Sequence, residues 1–283
     1  MTAPTNQIDP SEVDLLPPVK TFPVERVLRV AIPIIMLGLL VLLWAWYVDA
    51  YDVPHYILPS PMRVATAMVT DWPILSAALV ITLEITLTAL GIALVGGLGL
   101  AILMSQSRWI ELALYPYAVI LQVTPIVAIA PLILIYAPTT YSALLICAWL
   151  VAFFPILSNT TQGLKSTDHN LLNLFELYGA SRWQTLYYLK LPNALPYFLA
   201  GLRIAGGLAL IAAVVAEFAA GSAGAQSGLA FRLLESQFRL NIPRLFAALI
   251  LLSATGVVIF SITSLVSHLF LRKWHESALK REN

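Results

Sequence analysis

Few residues in this 283-residue chain carry side chains that could do chemistry, and their spacing suits little of it. Four histidines stand apart at His55, His169, His268 and His275, and only the last two form even a weak metal-ligand spacing. The single cysteine, Cys147, cannot form an internal disulfide; its apolar neighbourhood, Leu144 to Val151, points to plain packing. No G-x-x-x-x-G-K-[ST] run occurs, so no P-loop cradles phosphates and any ATP dependence has to come from a partner. An intramembrane hydrolase would need a Ser/His, paired-Asp or metal constellation, and His268, at the end of an apolar run, stands without one. An enzyme is therefore the weakest reading. What remains are polar residues inside long apolar stretches: Glu84, Gln122, Thr124 and Glu217.

Those stretches dominate the composition. Hydrophobic residues make up 59% of the chain, charged residues 11%, and mean hydropathy is +0.84. A soluble domain is about 45–50% apolar and about 25% charged, so this is a membrane protein. A net charge of +1 without a dense Lys/Arg stripe excludes a basic nucleic-acid binder.

Six stretches are of spanning character: Val30–Val48, Leu79–Met104, Leu112–Tyr136, Tyr141–Leu157, Tyr197–Phe218 and Leu245–Leu271. The first ends in Trp44, Trp46 and Tyr47, an interfacial aromatic anchor, and reads as an uncleaved span rather than a secretory signal. The expected fold is all-α: a polytopic bundle of six transmembrane helices. Residues 1–29, polar and proline-rich, read as a flexible cytoplasmic tail, residues 30–271 as the transmembrane domain and 272–283 as a C-terminal tail.

Orientation follows from Lys/Arg placement. With six spans, one side holds Lys20, Arg26, Arg29, Arg108, Lys165, Arg182, Lys190, Arg272, Lys273, Lys280 and Arg281. The other holds Arg63, Arg232, Arg239 and Arg244, while Arg203 sits early in the fifth span. That asymmetry places both termini in the cytoplasm. Outside, Leu58-Pro59-Ser60-Pro61 leads into a short helix, and a Gly/Ser-rich segment, 221–228, into a mixed-charge helix over 231–239.

Residues 158–195 form the sizeable polar loop on the cytoplasmic side. Asp168 or Asn170 caps a short helix, Leu171–Tyr178, which Gly179 ends as a left-handed residue. Ser181 caps a second helix, Arg182–Lys190, stopped by Pro192. Leu171, Leu174, Phe175 and Tyr178 share one face of the first helix. Two readings stand at this point: a knob for another protein to grip, or a hairpin packed on its own spans.

The intramembrane residues also admit two readings each. Glu84 contacts a cavity or substrate, or bonds a neighbouring helix; an acid at mid-membrane costs about 2.5–3.5 kcal/mol on insertion scales. Glu217, about 30 Å along the fifth span, lines an outer gate or is solvated. Gln122 and Thr124, beside Pro125 and Pro131, line a pathway or belong to a kinked helix whose polar groups bond neighbours. Gly91, Gly96, Gly97 and Gly99, with Gly201, Gly206 and Gly207, fit close helix packing.

The run from Asn173 through Gly179, Ala180 and Ser181 to Leu189-Lys190-Leu191-Pro192 resembles the E-A-A-x3-G-x9-I-x-L-P signature of ABC importer permeases. Glycine and Leu-Pro keep the family's spacing, whereas Asn173, Leu174 and Phe175 replace Glu-Ala-Ala. Ile57 to Pro61, Gln122 to Leu132, Ala216-Glu217-Phe218 and Trp274-His275-Glu276-Ser277 look like the nitrate/taurine/sulfonate/pyrimidine-precursor group. Thr82-Leu83-Glu84 and the Trp-His ending lean toward pyrimidine-precursor or riboflavin permeases. The resemblance runs from about Leu58 to His275.

It implies a permease subunit, not an enzyme, that forms the pathway for a small organic solute delivered by an external binding protein. Two cytoplasmic ATPases, holding ATP and Mg themselves, would grip Asn173, Leu174, Phe175, Glu176, Gly179, Ala180, Ser181, Leu191 and Pro192. A second permease copy would complete the pathway, a homodimer being favoured over a heterodimer. The competing reading is an ion-coupled carrier or channel, which needs charge near the midplane, where only Glu84 comes close.

Overall fold

The computed structural model describes residues 23–221 and 227–272, all of whose regular structure is helical. Most of the 1–29 tail, the Trp274 to Ser277 ending and the centre of the Gly/Ser-rich segment lie outside the described residues. The chain divides into two compact units, 1–53 and 54–283. In the first, α1 (Pro23–Ala50) contains a 20-residue apolar segment, Ala31–Ala50, with mean hydropathy 2.3. Ile34, Leu37 and Leu42 are each exposed on it, as a helix surrounded by lipid requires.

The second unit opens with α2 (Pro61–Thr70), started by Ser60, whose hydroxyl accepts from the Arg63 amide at 3.5 Å, and by Pro61 in the first turn. α3 (Trp72–Gln106) is 35 residues long, about 52 Å at helical rise. It exceeds a bilayer core of about 30 Å and so tilts or projects beyond it. α4 (Arg108–Val123), α5 (Ile126–Tyr136) and α6 (Thr140–Lys165) follow, then the short α7 (His169–Leu177) and α8 (Arg182–Thr185). A π-helical turn, Leu186–Lys190, leads into α9 (Leu191–Ala220); α10 (Leu229–Phe238) and α11 (Ile242–Leu271) follow.

Three expectations need correction. The stretch Leu112–Tyr136 is not one straight span: α4 and α5 meet at 101°. Pro125 supplies no amide hydrogen and drives Thr124 into extended backbone (φ −72°, ψ 121°), so the helix stops and restarts. Among the described residues, five helices are long and apolar enough to cross a membrane, six if the broken pair is counted as one span. The fourth stretch is longer than its apolar core. α6 continues through Pro155 and on past Leu157 to Lys165, shrinking the polar loop from 158–195 to little more than α7 and its flanks. Pro192 stops nothing. It lies in the first turn of α9, just after a π turn whose wider hydrogen-bond register tolerates the missing amide hydrogen, and the helix runs from Arg182 through to Ala220.

α6 packs between α3 and α9 through small side chains: Ala93, Ala152, Ala205 and Ala209 are fully buried with Ile156 and Leu157. Close approach needs glycine at three of the seven expected positions. A Cβ on Gly201 would lie 2.6 Å from the Pro155 carbonyl oxygen, and those on Gly97 and Gly206 would meet Ile156 and Ile259 at 3.0 Å. Gly91, Gly99 and Gly207 face open space instead.

Candidate functional site

At one end of this unit, α7 and α8 form a corner set by local chemistry. The Asp168 carboxylate accepts from the Asn170 amide at 2.7 Å and starts α7. Gly179 has φ +70°, a conformation that a residue with a Cβ resists, and it ends α7 as expected. The Ser181 hydroxyl accepts from the Gln184 amide at 3.3 Å, while the Ser181 amide donates to the Gln184 side chain at 2.7 Å. That reciprocal capping box fixes the start of α8.

The corner is well capped but uncovered. α7 buries no residue at all. Asn173, Leu174 and Glu176 are exposed, Phe175 is half-buried, and Leu177 and Tyr178 are each 84% exposed. Gly179 and Ser181 are exposed and Ala180 half-buried, so these seven expected coupling residues lie together on one hairpin. Leu191 and Pro192 stand apart, half-buried at the foot of α9. Trp183, Tyr187 and Tyr188, each at least 66% exposed, extend the apolar surface of the corner. Sequence reading passed over these aromatics, although their place between Ser181 and Pro192 could have flagged them. Beneath the hairpin a cleft of about 300 Å³ is lined by Ser105 and Gln106 of α3, Glu176, Arg182 and Lys190.

The four expected pathway residues do not converge. Glu84 is exposed on α3 and accepts a hydrogen bond from the Tyr141 hydroxyl at 3.1 Å. Gln122 is exposed at the end of α4, and the half-buried Thr124 donates back to the Ile120 carbonyl at 2.7 Å across the α4–α5 break. Glu217 departs furthest from expectation. It is not solvated but 3% exposed within the bundle. Its carboxylate accepts from the amides of Ala230 (3.0 Å) and Phe231 (3.2 Å) and from the Thr82 hydroxyl (3.2 Å). Thr82 in turn accepts from the Leu229 amide at 2.9 Å. Three amides at the start of α10 are thus satisfied from α9 and α3, where Gly228 offers no side-chain cap of its own. Any side chain on Gly228 would collide with Glu217 and Thr82.

Nothing local announces Thr82 as a partner 135 residues from Glu217. The same end carries a second tie: Arg244 at the start of α11 forks onto Asp71, between α2 and α3, with both contacts at 2.7 Å.

An all-helical membrane unit with one broken span, an end knitted by buried polar bonds and an opposite end presenting a bare two-helix corner defines a permease that works with partners. Residues 93–275 match the family described as binding-protein-dependent transport system inner membrane component, and the chain belongs to that family. It is a multi-pass inner-membrane protein, the permease subunit of an ABC importer, and the carrier-or-channel alternative falls with that membership. A probable ABC transporter permease of Haemophilus influenzae is 31% identical over 86% of this chain and 98% of its own length. A formylaminopyrimidine transport permease of Halalkalibacterium halodurans is 32% identical (82% and 92%), and a riboflavin transport permease of Chloroflexus aurantiacus 33% identical (86% and 90%). A solved structure, "Crystal structure of an amino acid ABC transporter with histidines", superposes with a TM-score of 0.57 at 20% identity. That match covers 74% of this chain and 97% of that one, a likeness of fold.

Proposed function

We propose that this permease forms, with a second copy of itself, the pathway for a small organic solute handed over by an external binding protein. Both termini and the α7–α8 corner face the cytoplasm, in keeping with the basic residues that cluster there. Relatives named for formylaminopyrimidine, riboflavin and aliphatic sulfonates support a solute of a thiamine-precursor, riboflavin, sulfonate or nitrate/taurine kind.

The α7 corner carries the reading: both helices are capped within the chain, yet the apolar face they present has nothing on it. Two ATPase subunits, binding ATP and Mg in their own chains, would cover it. ATP can shift the permease between two arrangements only by favouring one through differential affinity. A corner fixed by Gly179 and a capping box transmits such a shift, whereas a slack loop would absorb it.

The test is reconstitution in lipid with the cognate ATPases and binding protein. ATP hydrolysis should rise when the loaded binding protein is added, and solute uptake should require all three components. Uptake that continues with both ATPases removed would sink the proposal.

A further inference from the structure

We infer that Arg203 forms an anion station half-way along the translocation pathway, taking a carboxylate or sulfonate group of the solute in transit; the inference rests on the permease reading above. Arg203 lies twelve residues into α9, about 18 Å from Leu191 and about 26 Å from Ala220. Its neighbour Gly201 packs on Pro155, well inside α6. A guanidinium stays charged at any accessible pH, so at this depth it needs water or an anion.

Among the described residues nothing supplies a counter-charge. Arg203 makes no hydrogen bond or ion pair with any described residue, and its Nε is buried without a partner. The carboxylates of α3 and α9 are engaged elsewhere: Glu84 with Tyr141, Glu217 with α10 and Thr82. Arg203 as a whole is half-buried, and its two terminal nitrogens are not among the buried polar atoms that lack a partner.

Arg203 lies on a stripe of α9. Ala200, Ile204, Ile211 and Phe218 are exposed and recur at helical spacing, with the half-buried Arg203 and Gly207 between them. All are apolar except Arg203, and Gly207, one turn on, has nothing within 4 Å of where a Cβ would sit. An arginine on a lipid-facing stripe would be stranded; on a stripe facing a wet pathway it meets solvent and passing solute. Its planar fork matches a carboxylate or sulfonate through paired hydrogen bonds. The apolar residues around it bind nothing ionic, so the site orients a solute without holding it tightly.

The experiment uses the full complex with its ATPases and binding protein in lipid nanodiscs, with Cys147→Ala and Gly207→Cys in the permease. The rate of thiol modification is measured with anionic sulfonatoethyl and cationic trimethylammonioethyl methanethiosulfonate. Both should react. Arg203→Gln should lower the anionic-to-cationic rate ratio about tenfold, while Arg203→Lys keeps it. Ethanesulfonate should slow modification when Arg203 is present. Slowing by inorganic sulfate alone would assign the site to a free ion and overturn the proposal. So would a thiol that neither reagent reaches, which means lipid or a packed interface. A ratio unchanged by Arg203→Gln would mean that a partner's carboxylate already neutralises it, and would also overturn it. Binding-protein-stimulated ATP hydrolysis is measured on the unsubstituted complex alongside. Its presence with a flat ratio refutes the anion station alone, whereas its absence refutes the permease reading itself.

Discussion

At the α10 end, a carboxylate that is 3% exposed ties three helices together; at the α7 end, two short helices are capped only by their own residues and bury nothing of α7. The first arrangement spends its polar groups inward: Glu217, Thr82 and the first amides of α10 satisfy one another across α9, α3 and α10. The second leaves its apolar groups outward, with Leu177, Tyr178, Trp183, Tyr187 and Tyr188 all open. One end is satisfied within a single chain; the other presents an uncovered face, which the proposed function assigns to partner subunits. Substitutions should therefore cost stability at one end and coupling at the other.

The largest effect is expected from Glu217→Ala. It strands the amides of Ala230 and Phe231 and breaks the Thr82 contact in a buried site. A buried group left without its partner costs about 1–3 kcal/mol and two amides are stranded, so a loss of about 3–5 kcal/mol is expected. The readout is folded yield and thermal midpoint in detergent, with new proteolytic cleavage near α10. A variant as stable as the parent would show that the knot holds nothing, and the contrast between the ends would collapse.

Gly179→Val is the complementary change. Forcing a β-branched residue to φ +70° costs about 1–2 kcal/mol, but the site is open and nothing is overpacked. Insertion and folded yield should survive, while ATP hydrolysis by the reconstituted complex no longer drives uptake. Normal uptake in this variant would remove the coupling assignment. Ser181→Ala, which deletes the α8 capping box, should cost about 1 kcal/mol and weaken coupling in the same direction but less severely. Hydrolysis and uptake measured together distinguish it from a plain loss of protein.

How much of this was legible in the sequence differs between the ends for the same physical reason. Asp168, Gly179 and Ser181 act on residues within three positions of themselves, so local pattern exposes them. Glu217 acts through Thr82 and through amides beyond the Gly221 turn, and no local pattern encodes which helix it will meet. The spans were legible because apolar length is a local property. The course of the backbone at Pro125 and Pro192 was not. The same missing amide hydrogen breaks one helix by 101° and is harmless in the first turn of another, depending on what precedes it. Glycines divide likewise: Gly201 and Gly207 read alike in sequence, yet one meets a carbonyl oxygen and the other open space.

The smallest effect isolates α10 itself from the knot at its base. Glu235 pairs with Arg232 at 2.8 Å and with Arg239 at 3.0 Å along the helix surface. The hydrogen bond from Arg232, with the attraction of Arg232, Arg239 and Arg244, holds its carboxyl below the ordinary carboxylate range despite some desolvation. A depressed folded-state value stabilises the fold above the ordinary carboxylate pKa, and that contribution disappears as pH falls through the lowered one. Glu235 and Arg232 are partly exposed and Arg239 mostly so, and solvent reaching such pairs holds their contribution to about 0.5–1 kcal/mol. Glu235→Gln should therefore lower the thermal midpoint slightly at neutral pH, and the difference from the parent should vanish in acid. Salt should shrink it too, since surface pairs are screened. Glu217→Ala, by contrast, should stay strongly destabilising at high salt, because its bonds lie inside the bundle. If salt abolished both effects equally, the α10 end would be held by surface charge, and the distinction between a buried tie and an open corner would lose its basis.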